Sequence, residues 1–376
     1  MSGAAIARVE AAPGPPLYLE RTQASFARVP SLDGLRAVSI LLVMLSHYFD
    51  SRLFPGGLGV LIFFVVSGFL ITRLLLAEAK RNGRISLSGF YLRRFFRLYP
   101  VVTAYAACVV LFFVVSGRRI DWYEPLSALF YFANYLYAAS SMAGHAGATP
   151  MPFAIFWSLS VEEHFYLFFP LLFILLRGRF LIAWMVAICM GCLAARILLA
   201  HAHPEWLSTH VFYYTDIRLD SIAFGVLLAA ICEERGAASI VGFLERPAVL
   251  TIALATILLC LAIRNDWFRE TLRYTMLGAS IAAILAAIVF SPRYRFVQTM
   301  LNLPLIRWIG ALSYSLYVWH TFVPDLLHAA VPSLHRPLAP PAELAAALAI
   351  AALSWYGLEK PAAALRSRFG SHTVRA

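Results

Sequence analysis

Charge is scarce in this chain. Of 376 residues only 14% are Asp, Glu, Lys or Arg, while 61% are hydrophobic and mean hydropathy is +0.74; this excludes an ordinary soluble enzyme. Lysine is nearly missing: Lys80 and Lys360 are the only two, so arginine carries the net charge of +11. In so apolar a chain that excess points to orientation and anionic headgroups before nucleic acid, for which no motif is present. Cysteine is sparse and odd in number. Cys108, Cys189, Cys192, Cys232 and Cys260 all lie in apolar stretches, which gives no disulfide framework. Cys189 and Cys192 form a CxxC inside an apolar run without βαβ context and read as packing residues. His47, His164, Glu163 and Asp216 have the side chains to bind a metal, but HExxH and Cys/His zinc spacings are absent and no metal is expected.

Long apolar runs are what the chain has in quantity. Residues 1–30, rich in Ala and Pro, read as a flexible cytoplasmic tail and not as a signal peptide. Segments able or nearly able to cross a bilayer follow at about 35–49, 57–77, 98–116, 153–176, 180–200, 216–232, 248–263, 274–290, 309–330 and 343–359. The stretch 126–139 is too short, with Asn134 inside it, and is expected to be interfacial or re-entrant. If it crossed, the arginine bias between the two sides would vanish. The expectation is therefore an all-α polytopic bundle of about ten spans over 31–361, both termini cytoplasmic, with a basic tail at 362–376. No soluble domain is expected after the last helix, so the chemistry falls to the membrane domain. Corresponding broken helices, the mark of a transporter built from inverted halves, are not seen.

The first apolar segment, LDGLRAVSILLVMLSH, places Arg36 and His47 eleven residues apart. On a helix that is about three turns, nearly one face, and roughly 16 Å. Ionisable groups at that depth point inward and mark function; singly, Arg36 also reads as an interfacial anchor and His47 as a packing residue.

Three further constellations stand out. Before the third segment comes FYLRRFFRLYP, in which Arg93, Arg94 and Arg97 make one basic face among Phe90, Phe95 and Phe96. It reads either as a positive-inside anchor lying on the membrane or as a phosphate clamp for a nucleotide-bearing donor. The fourth segment opens FWSLSVEEHFYLFFP: Ser158, Glu162 and Tyr166 share a face, Ser160 and Glu163 the neighbouring one. Carboxylates there need Arg or His partners, as a structural ion pair or to orient a catalytic histidine. TDIRLDSIAFG sets Asp216 and Asp220 on one face and Arg218 on another, IGALSYSLYVWH aligns Ser313, Tyr317 and His320, and Ser67–Gly68 suits close helix packing.

In order and spacing, Arg36 with His47, SGFLI, FYLRRFFRLYP, WSLSVEEHFY, DIRLDSIAFG and LSYSLYVWH resemble the acyltransferase-3 family of integral membrane acyltransferases, over residues 30–361. The resemblance implies an enzyme of the cell membrane that moves an acyl group, often acetyl, from cytoplasmic acyl-CoA to a hydroxyl of a carbohydrate, lipid-linked glycan, peptidoglycan or secondary metabolite. It implies no bound cofactor, acyl-CoA being a co-substrate, and leaves the oligomeric state open. Arg36 and His47 match the family's essential pair, and Arg93, Arg94 and Arg97 its donor-associated motif. His164 stands where many relatives carry glutamine, so it could share the role of His47. Some relatives add an SGNH-type esterase domain.

The residues fit that chemistry. Ester formation needs a base for the acceptor hydroxyl, which His47 supplies, while Glu163 or Glu162 could hold its tautomer and Arg36 could stabilise the oxyanion or the donor. Trp157, Ser158, Ser160, His164, Asp216, Arg218, Asp220, Tyr317 and His320 are the substrate-pocket candidates. His145, His203, His210 and Asp325, near the outer loops, are unranked candidates for acceptor choice. Two other classes use the same charges: a transporter or flippase for a lipid-linked sugar or acyl donor, and a scaffold held by ion pairs. Neither requires a nucleotide-sized basic site.

Overall fold

The computed structural model describes residues 31–49, 53–143, 152–208, 213–234, 242–334 and 338–366, and among these there is no strand. The tails at 1–30 and 367–376, together with His145 and His210, lie outside the described residues. The chain opens with α1 (Leu32–Tyr48), α2 (Gly56–Asn82) and α3 (Leu87–Val115). Two short helices, α4 (Tyr123–Leu129) and α5 (Ala133–Met142), precede α6 (Trp157–Leu175) and α7 (Arg179–Ala202). Then come α8 (Leu219–Glu233), α9 (Pro247–Ala262), α10 (Asp266–Glu270), α11 (Leu272–Phe290), α12 (Arg295–Leu301), α13 (Pro304–Trp319) and α14 (Val323–Ala330). The last, α15 (Ala339–Ser354), passes through a π-helical turn, Trp355–Glu359, into α16 (Lys360–Arg366).

Among the described residues, six helices are long and apolar enough to cross a membrane: α2, α3, α6 with the 3-10 turn before it, α7, α11, and the composite Ala339–Leu365. This is a multi-pass membrane chain. The other four expected segments are shorter, since α1, α8, α9 and α13 hold 17, 15, 16 and 16 residues. At 1.5 Å per residue they measure about 22–26 Å against a hydrocarbon core of about 30 Å. Protein covers much of three of them: α2 packs on α1 and α8, and α13 packs on α1. Where α2 crosses α8, Gly68 faces the Ile222 carbonyl and Gly225 the Val65 carbonyl, and a methyl group at either would strike backbone. Small residues admit this approach, which leaves α1, α2, α8 and α13 as a dense centre. By contrast α9 buries only Ala253 and Cys260, and large apolar side chains such as Phe168, Leu175, Leu111 and Leu258 face outward, as a lipid-facing surface requires.

Three boundaries differ from the sequence expectation. The basic motif before residue 98 is not a separate helix lying on the membrane; it is the first third of α3, which continues through Pro100. Phe90 is buried and Phe95 exposed, so the three phenylalanines do not form one membrane-facing row. The segment 309–330 is broken at His320–Phe322, because Pro324 opens α14 and restricts the turn before it. Asp216 precedes the helix it was expected on: it sits in the 3-10 turn Thr215–Ile217, and Arg218 caps α8. The short stretch 126–139 folds as α4 and α5, split at Tyr131, whose φ is 56°; neither piece is long enough to cross.

Candidate active site

Five helices meet around a cavity of about 80 Å³, room for several waters. α1 contributes Arg36, α2 Ser67, α3 Arg94 and Arg97, α6 Ser158, Glu162 and Tyr166, and α13 Ser313, Tyr314 and Tyr317. Helical repeat explains the choice: Ser158, Glu162 and Tyr166 are four apart, Arg94 and Arg97 three apart, Ser313 and Tyr317 four apart, so each set shares a face.

Inside the cavity the charges hold one another. The Arg94 guanidinium lies over the Tyr166 ring, 3.9 Å from its centroid, and the Tyr166 hydroxyl bonds to Ser67. Glu162 is in hydrogen-bonding reach of Ser67 and in the field of Arg94, Arg97 and Arg36. Arg36 also pairs with Asp33 at 3.8 Å. The Ser313 hydroxyl faces the cavity, buried and without a partner, and the Ser158 and Tyr317 hydroxyls bond at 2.6 Å.

Tyr317 connects this cavity to a second group. Its ring lies 5.7 Å from that of His320, which in turn meets His47 edge-on at 5.0 Å. His320 is fully buried, its Nδ1 2.8 Å from the Tyr317 carbonyl; a carbonyl only accepts, so Nδ1 carries the proton and donates. The same logic applies to His47, whose Nδ1 donates to the Val43 carbonyl at 2.8 Å. In the neutral form of either ring Nε2 is therefore the acceptor nitrogen. The backbone fixes the His47 tautomer, the part the sequence reading gave to Glu162 or Glu163. His47 is exposed and not among the cavity-lining residues, whereas Arg36, three turns away on the same helix, is.

The remaining expected residues divide clearly. Arg93 points away from Arg94 and Arg97 and pairs with Glu78 at 2.8 Å. Glu163 is on the neighbouring face, with Oε1 buried and unpartnered. Ser160 bonds to the carbonyl of Phe156, which caps the start of its helix. His164 joins Thr215 at 2.7 Å, which also accepts from Asn134, so it belongs to the loop before α8. Asp216 is exposed. Asp220 forms a wholly buried ion pair with Arg196 at 2.6 Å. Trp157 stacks on Tyr213 at 4.1 Å with its edge toward Phe64, which lines the cavity. His203 pairs with Glu205, and Asp325 with Arg118. Cys189 and Cys192 are buried free thiols near the carbonyls of Asp220 and Asp216.

The profile of the acyltransferase-3 family, an acyltransferase domain, matches residues 29–359. The chain belongs to this family. It is 29% identical to the peptidoglycan O-acetyltransferase OatA of Listeria monocytogenes over 355 residues, 90% of this chain and 56% of that protein. It is 31% identical to the O-acetyltransferase OatA of Staphylococcus aureus over 310 residues, 78% of this chain and 50% of that one. The acyltransferase-3 chain thus spans about half the length of the curated relatives it matches. No solved structure matches it.

One residue beside the arginines of this cavity escaped the sequence reading. Glu359, buried in the π-helical turn, accepts from Ser315 at 2.5 Å and lies in the field of Arg97 and Arg36. A lone carboxylate ending the last apolar run was the available signal, and a π turn often marks such a position.

Proposed function

We propose that this chain is a plasma-membrane O-acyltransferase that moves an acyl group, acetyl first among them, from cytoplasmic acyl-CoA to a hydroxyl of a cell-surface glycan. Peptidoglycan is the leading acceptor, from the name of the Listeria relative. The observation that carries the reading is the cavity in which Arg36, Arg94 and Arg97 surround Glu162, joined through Tyr317 to the His320–His47 pair. In this reading α1, α8, α9 and α13 complete ten spans, the termini are cytoplasmic, and the arginine end of the cavity faces the donor.

The cavity is below the ~300–1,000 Å³ of typical ligand clefts, so it suits the thioester end of the pantetheine arm, with the nucleotide outside against arginine. His47 Nε2 removes the proton from the acceptor hydroxyl as its oxygen attacks the thioester carbonyl. Arginine and the unpartnered Ser313 hydroxyl are the donors on hand for the oxyanion. Collapse of the tetrahedral species expels CoA thiolate, which takes up the proton from the imidazolium, and leaves the ester. The test is CoA release by purified protein in nanodiscs, with and without a peptidoglycan-derived oligosaccharide. Release that depends on the acceptor, with ester on the glycan, is expected. Absence of any acyl-CoA binding or turnover would overturn the reading.

A further inference from the structure

Arg218 is buried, 2% exposed, yet its Nε and Nη1 make no hydrogen bond. Its neighbour Arg196 shows what this region does with a guanidinium that is only structural. There Nε donates to the Thr271 carbonyl, Nη1 to the Ile217 carbonyl, and Nη2 to both Asp220 and Thr275. Asp220 is consumed by that arrangement, and among the described residues no ion pair includes Arg218. The rings of Tyr274 and Trp157 lie 3.7 Å and 5.7 Å from the Arg218 guanidinium carbon. They favour its charge but offer no acceptor to its N–H groups. A buried cation left in that state is costly unless something else completes it. Arg273 repeats the pattern on the same ring: its guanidinium carbon is 5.3 Å from Tyr274, and its Nε too is buried and unpartnered. The nearby Glu270 carboxylate instead accepts the Tyr274 hydroxyl at 2.7 Å.

We propose that Arg218, Arg273, Trp157 and Tyr274 form a subsite for an acidic group on the acceptor glycan, a carboxylate or a phosphate ester. An oxyanion is the chemistry that satisfies guanidinium N–H groups, and the Tyr274 and Trp157 rings hold the Arg218 guanidinium in place for it. The subsite is close to the cavity. Trp157 is near both Arg218 and the cavity-lining Phe64, and the next residue, Ser158, lines the cavity and bonds to Tyr317. The inference rests on the acyl-transfer reading for its acceptor, but its binding test does not require turnover.

The experiment uses the full chain in nanodiscs of zwitterionic lipid, without donor. Binding is measured calorimetrically for a neutral N-acetylglucosamine oligosaccharide and for one of equal length bearing a carboxylate ether, with inorganic phosphate as competitor. Wild type should bind the carboxylated glycan about tenfold or more tightly over the neutral one. Arg218→Gln should remove that preference, and Arg218→Lys should keep part of it. Competition by phosphate that depends on Arg218 supports the site with phosphate as its group. Equal wild-type binding of both glycans overturns the proposal, as does an Arg218→Gln protein that loses both equally, the mark of a packing role. A carboxylate preference in a protein that never transfers an acyl group would leave the subsite standing and the transfer reading refuted. Where transfer is measurable, the ratio of kcat/KM for the acidic over the neutral acceptor should fall about tenfold in Arg218→Gln.

Discussion

His320 meets His47 edge-on with ring centroids 5.0 Å apart, and each ring donates Nδ1–H to a backbone carbonyl of its own helical region. With Nδ1 so committed, Nε2 is the acceptor nitrogen of each ring. The two rings touch with both tautomers fixed by backbone carbonyls. The pair forms where α1 ends and where the chain breaks after α13, so it depends on Pro324 stopping that helix.

His47→Ala should lower kcat by roughly 10²–10⁴-fold, the usual contribution of a positioned base. His320→Gln, which keeps a donor for the carbonyls, should lower kcat less than His47→Ala and leave the KM for acyl-CoA in place. Steady-state CoA release, with size-exclusion profiles to confirm folding, measures both. Full kcat in a folded His47→Ala protein would remove His47 from the mechanism.

Arg93 should separate from its two neighbours. Arg94→Ala and Arg97→Ala each remove a cation from the cavity. They should raise the KM for acyl-CoA about tenfold or more, as expected for a hydrogen bond to a charged group worth ~1.5–3 kcal/mol. Arg93→Ala instead leaves Glu78, which is 5% exposed, with the Ser86 N–H but without its Arg93 cation. Breaking one side of such a pair costs ~3–5 kcal/mol, so folded yield should fall while the KM of the folded fraction holds. A KM change in Arg93→Ala equal to that in Arg94→Ala would contradict the division.

Glu124, on α4 outside the spanning helices, has its carboxyl pushed up to about 7, first by burial and then by the adjacent Asp121. A raised acid is protonated more readily in the folded state, so its stabilising contribution is present below about 4.5 and lost as pH rises through about 7. Glu124→Gln should therefore raise the melting temperature at pH 8 and change it little at pH 4. Thermal melts of detergent-solubilised protein across that range check the sign. A lower melting temperature at pH 8 would reverse it.

Much was legible in the chain alone because bilayer physics leaves few options. Runs of apolar residues must be helical, and polar groups within them must turn inward; hence the all-helical architecture, the inward Arg36 and the shared face of Ser158, Glu162 and Tyr166. Backbone bonds were not legible. That Val43 and not a glutamate orients His47 depends on an i, i+4 carbonyl that any residue type supplies.

By itself, then, the sequence determined a multi-pass helical chain of the acyltransferase-3 family and the residue types of its site. Helical periodicity and apolar length are local properties, readable one segment at a time. The tertiary structure decided the grouping: Arg94 and Arg97 with Glu162 but not Arg93, His320 and not His164 beside His47, Glu359 behind the arginines, and Arg218 left without an acceptor. Those choices turn on which helices touch. Contact is set by close packing at glycines such as Gly68 and Gly225 and by the break before Pro324, and no single segment carries that information.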